Sequence, residues 1–163
     1  VDTRVGNALK VTTPSDREIV LTRVFDAPRR LVFEAMTKAE HVRKWYGCDG
    51  MTLPVCEIDF RVGGAYRFTM RTPEGVDHTM QGVYREIVAP ERIVFTEGYV
   101  TTGFASDPAQ VTSTFIERDG RTTLTVTVLH TSKENRDGHL NSGMEHGAGA
   151  VYDRLAALVA TME

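Results

Sequence analysis

Hydrophobic and polar positions alternate in short, regular blocks along most of the chain. Glu18 to Phe25 (EIVLTRVF) is dense in β-branched and aromatic residues, which predicts a strand. Asp26-Ala27-Pro28 ends it, with Asp26 able to cap and Pro28 suited to a first helical turn. Leu31, Val32, Ala35 and Met36 then recur at helical spacing, predicting a helix over 28–37, and a second short helix is predicted over 39–45, before Gly47. Strand signals follow over 52–62, 65–71, 76–88 and 92–99, punctuated by Gly63-Gly64, Pro73-Glu74-Gly75 and Ala89-Pro90-Glu91. A polar loop is expected over 100–108. Two further strands, 110–118 and 122–130, flank Asp119-Gly120, a strong two-residue hairpin signal.

From Ser132 onward the period changes to that of a helix. Leu140, Met144, Val151, Leu155, Leu158 and Met162 share one stripe, predicting a short helix over 132–141 and a long one over 143–161. Gly138, Gly143, Gly147 and Gly149 each weaken this region by about 1 kcal/mol relative to Ala. The order is strand, two helices, a meander of six strands and a terminal helix. Consecutive antiparallel strands with short turns make one sheet, and helices on one face make an α+β layer design. The concave face of so twisted a sheet needs a cover, and the terminal apolar stripe is the candidate.

Composition adds bounds. The 163 residues fit one domain, with residues 17–163 as its body and 1–16, broken by Thr12-Thr13-Pro14-Ser15, as a flexible arm without an apolar signal core. Apolar residues make up 41%, charged residues 25%, and the net charge is −3, so no nucleic-acid surface is expected. No apolar window is long enough to predict a membrane span. Cys48 and Cys56 make no disulfide framework, and a reducing, cytoplasmic setting is expected, with a Cys48–Cys56 bridge as the alternative.

Six segments together resemble the activator-of-heat-shock-protein-90-ATPase branch of the START/Bet v 1-like (SRPBCC) superfamily. They are FDAPRRLVFEAMT (25–37), KWYG (44–47), VGGAYRF (62–68), GVYREIVAPERIVFT (82–96), DGRTTLTVTV (119–128) and SGMEHGAGAVYDRL (142–155). The resemblance runs from about Arg17 to the C-terminus. It implies the helix-grip fold, a curved antiparallel sheet of six to seven strands around a long C-terminal helix. It also implies a cavity between sheet and helix, and apolar or aromatic small molecules as ligands, while some relatives bind a chaperone instead. One departure stands out. Many relatives carry a bulky aromatic after the second glycine of the GMxxG run, and here Ala148 follows Gly147.

Several residues are candidates for such a cavity. Gly143, Gly147 and Ala150 share a helix face, so this half of the terminal helix either leaves volume or packs closely on the sheet. Trp45, with Tyr46 beside it, is a core plug or the mouth of a pocket. Phe68, Met70, Met80, Phe95, Phe115 and Met144 are core or lining, and the methionines suit an adaptable wall. Glu97, His78 and His130 share strand parity with apolar neighbours, so they are either solvated at strand ends or polar anchors for a ligand. No spacing forces two of the three together, so no catalytic residue is assigned. His41, His139, Glu145 and His146 form no metal motif, and Cys48 and Cys56 match no zinc spacing. Gly63-Gly64 lies between strands, away from any helix N-terminus that could receive a phosphate. The expectation is a small-molecule binding protein, monomeric or homodimeric, without cofactor or metal. A co-chaperone-like interaction module and a cavity enzyme of cyclase or hydrolase type are the alternatives.

Overall fold

Among the described residues, nine antiparallel strands form one curved sheet in the order β1-β2-β9-β8-β6-β5-β4-β3, with β7 on β6. The structure is a computed structural model and describes residues 7–163. The strands are β1 (Lys10–Thr12), β2 (Glu18–Phe25), β3 (Thr52–Ile58), β4 (Ala65–Arg71), β5 (Asp77–Val88), β6 (Arg92–Thr101), β7 (Phe104–Ala105), β8 (Ala109–Arg118) and β9 (Arg121–Leu129). Among the described residues four helices accompany them: α1 (Arg29–Thr37), α2 (Ala39–Trp45), α3 (Lys133–Leu140) and α4 (Met144–Val159). This is the helix-grip arrangement.

Strict alternation sets the concave face. β9 buries Leu124, Val126 and Val128, β8 buries Val111, Ser113 and Phe115, and β2 buries Ile19, Leu21 and Phe25. Val32, Phe33, Ala35, Val42 and Trp45 from α1 and α2 complete the core with Leu155 and Val159 from α4. Asp119 and Gly120 both have positive φ, the geometry that a tight β8–β9 hairpin requires. Ser132 caps α3, accepting a 3.1 Å hydrogen bond from the Asn135 amide.

Two strands were not anticipated. Part of the expected flexible arm, residues 10–12, instead pairs with Val20–Thr22 as β1, while residues 1–6 of that arm lie outside the described residues. The pairing covers the edge of β2 and seats Leu9 and Val11 against the core. Within the expected 100–108 loop, β6 runs on to Thr101 and folds back through β7. Both strands are two or three residues long, too short to show a period.

Arginines fix α4 over the sheet. Arg154 donates to the carbonyls of Trp45 (3.1 Å) and Gly47, tying α4 to the end of α2. Arg23, nearly buried on β2, pairs with Asp153 at 2.6 Å and lies over the Phe25 ring.

Candidate functional site

Between the concave face and α4 lies a chamber of about 290 Å³. Leu21, Ile93, Phe95, Val111, Val126 and Val128 form its floor, and Met144, Ala148, Val151 and Tyr152 its roof. Tyr46, Tyr66, Phe68 and Tyr84 make an aromatic side wall; Tyr66 is edge-on to Phe95 and within 5.3 Å of Phe68. Trp45 packs in the core and also reaches the chamber. It donates from Nε1 to the Ala35 carbonyl at 2.8 Å.

A second, more polar chamber of about 600 Å³ adjoins the first, lined by Tyr99, Phe104, Ser106, Asp107, His130, Glu134, Asn135 and Ser142. Phe104, Glu134 and Ser142 are exposed, so this chamber faces the surface. Met80, Glu97, His139 and Met144 line both chambers and form the partition.

Glu97 is the polar focus. It follows Ile93 and Phe95 on the inward face of β6 and registers with Ala109 of β8. Burial alone pushes its carboxyl up to about 7, with no hydrogen bond or neighbouring charge to offset it. Burial also raises the phenols of Tyr46, Tyr66 and Tyr152, and the Glu97 charge adds to each. These phenols therefore stay protonated at neutral pH. The Tyr66 hydroxyl donates to the Thr96 carbonyl at 2.7 Å, holding the strand just before Glu97. Gly82 makes that approach feasible, because a Cβ there would lie 1.8 Å from the same Thr96 oxygen.

His139 and His130 share a 2.9 Å hydrogen bond between Nδ1 and Nε2. Burial first, and His130 second, lower His139 to about 4; burial and the Arg136 charge lower His130. Both rings are neutral at pH 7.

Residues 26–160 of the chain match the sequence profile of the family described as Activator of Hsp90 ATPase homolog 1-like protein. The chain belongs to this family. Its fold agrees with solved structures. The similarity to a Rhodobacter sphaeroides protein has a TM-score of 0.88 at 22% identity, covering 95% of this chain and 99% of that one. A Mycobacterium smegmatis protein gives 0.82 at 23%, covering 96% and 99%. A Chromobacterium violaceum protein gives 0.72 at 28%, covering 88% and 97%. No functionally curated protein matches the chain in sequence.

Of the expected lining residues, Trp45, Phe68, Met80, Phe95, Glu97 and Met144 border the inner chamber, and His130 borders the outer one. Four do not border either. Phe115 is wholly buried against Phe33, under α1 (ring centroids 5.3 Å apart). Met70 lies one inward position beyond Phe68, towards Gly47. His78 turns to the Tyr99 hydroxyl. Gly147 flanks the inward stripe, and a Cβ built on it would meet nothing within 4 Å. The inward stripe is Met144, Ala148, Val151, Tyr152 and Leu155, so the small residue at the chamber is Ala148. Glu97, His78 and His130 do not bond to one another; the partner of His130 is His139.

Tyr66, Tyr84, Tyr152 and His139 were missed as lining. Strand parity with Phe68 and with Met80 carried the signal for Tyr66 and Tyr84, and Tyr152 lies four residues after Ala148. Nothing in the sequence places His139 at Glu97's chamber.

The thiols of Cys48 and Cys56 are free. Among the described residues, no group of three His, Cys, Asp or Glu side chains could hold a metal ion, and no helix is long and apolar enough to cross a membrane.

Proposed function

We propose that the chain binds an apolar or aromatic small molecule in the inner chamber. The observation that carries this is the wall itself: aliphatic and aromatic side chains on all sides, with Glu97, His139 and Ser113 as isolated polar points. Ala148 leaves space at the roof where a larger side chain would project inward. Titration with the neutral fluorophore N-phenylnaphthylamine tests this. Enhanced emission that saturates is expected, and Ala148→Trp should weaken binding at least about tenfold by occupying the chamber. Circular dichroism checks that the variant is folded. Unchanged binding in a folded Ala148→Trp protein would place the probe elsewhere and contradict the proposal.

A half-buried carboxyl that titrates near neutrality at a chamber wall also favours a cavity enzyme with Glu97 as acid or base. Turnover that vanishes in Glu97→Gln, with binding retained, would distinguish catalysis from binding alone.

A further inference from the structure

We infer that the molecule held in the inner chamber carries a cationic amine, seated against Glu97, and that anionic amphiphiles are refused. This deepens the binding function proposed above and rests on it. The acidic side chains that line the chambers are Glu97 at the partition and Asp107 and Glu134 in the outer chamber. No lysine or arginine lines either chamber among the described residues. His130 and His139 are neutral and occupied with one another.

The carboxylates are not equivalent. Asp107 accepts from Asn135 Nδ2 at 2.9 Å, and Glu134 is exposed to water. Glu97 is half-buried at the partition, faces both chambers, and no described group donates to its carboxylate. A buried ionised group without a partner is costly, so a donor supplied by a ligand gains more there than at the other two sites. Tyr46, Tyr66 and Tyr152 border the same space and are close enough to feel the Glu97 charge. A carboxylate among aromatic rings is a fitting environment for an alkylammonium or arylalkylammonium group. A ligand carboxylate or phosphate would instead meet like charge in a poorly screened interior. The first turn of α3 reaches the outer chamber, but Ser132 already caps it and Glu134 brings negative charge there, so it offers no compensating anion site.

Three probes with one aromatic body test the inference: naphthylmethylamine, naphthylmethanol and naphthoate, each titrated by calorimetry at about pH 8, where Glu97 is mostly ionised. The amine is expected to bind between about tenfold and a hundredfold tighter than the alcohol, and naphthoate weakest. In Glu97→Gln the amine's advantage over the alcohol should fall to within about threefold. Equal binding of all three, or a preference for naphthoate, overturns the cationic assignment while leaving small-molecule binding intact. An amine preference that survives in Glu97→Gln overturns the role of Glu97. Failure of all three to bind removes the binding function and this inference with it. The wild-type series is decisive even where the variant does not fold.

Discussion

Replacing Glu97 by Gln should change how stability depends on pH, in a direction the structure fixes. The carboxyl stands at about 7 in the folded chain against an ordinary 4.5, because burial disfavours its charged form. Between those values the folded protein binds a proton that the unfolded chain has released, so stability falls as pH rises. A displacement from 4.5 to about 7 corresponds to a loss of about 3 kcal/mol, complete above pH 7 and absent below about pH 4.5. His139 acts oppositely. Its proton is disfavoured in the fold, so its contribution is full above about 6.5 and is lost as pH falls towards 4. His130, also lowered, acts in the same direction as His139, so the wild-type curve alone mixes effects of opposite sign. Subtracting the curve of Glu97→Gln removes the shared contributions of the two histidines. Urea unfolding followed by circular dichroism, across about pH 4 to pH 8, should show the variant gaining on wild type by about 3 kcal/mol over that range. A constant offset, reflecting only the fixed cost of burying an amide, would refute the reasoning that Glu97 is half-buried and unpaired.

Three other substitutions test how the site is built. Gly82→Ala should lower stability by at least about 3 kcal/mol or prevent folding, because its Cβ meets the Thr96 carbonyl; a melting temperature near wild type would contradict the close approach. Gly147→Ala should instead raise stability by up to about 1 kcal/mol and leave N-phenylnaphthylamine binding unchanged, since its Cβ enters open space; weakened binding would put this residue back at the chamber. Arg154→Met should cost about 2 kcal/mol and speed amide exchange around residues 46–50, where Arg154 now holds the Trp45 and Gly47 carbonyls; unaltered exchange would show that α4 is held by packing alone.

The parts of the fold that depend on local pattern were legible in the sequence. The alternation of Leu124, Val126 and Val128, the Asp119-Gly120 turn and the stripe from Leu140 to Met162 correspond to β9, its hairpin and the buried side of the C-terminal helices. β1 and β7 were not legible, because their pairing is fixed by the edges they join and each is too short for a period to show. At the site, period-2 parity gave the correct face for Phe68, Phe95 and Glu97, yet it could not say how far along the strand the chamber extends. Phe115 and Met70 have inward parity and still lie past its ends. The small-residue stripe misled for a different reason. Gly143, Gly147 and Ala150 share a face, but the rotation of α4 is set by its large residues, and Leu155 and Val159 turn Ala148 inward instead. The juxtaposition of His139 and Glu97 joins a helix to a strand more than forty residues earlier, a relation that no local spacing encodes.

The methionine methyls offer the most direct measurement. Met36, Met80 and Met144 line the chambers, whereas Met51, Met70 and Met162 do not. With methyl-labelled methionine, titration with N-phenylnaphthylamine should shift the resonances of Met36, Met80 and Met144 and leave the other three in place, assigned by single Met→Leu substitutions. Shifts confined to Met51, Met70 or Met162, or binding without any methyl shift, would mean that the space between the sheet and α4 is not where this protein takes a small molecule.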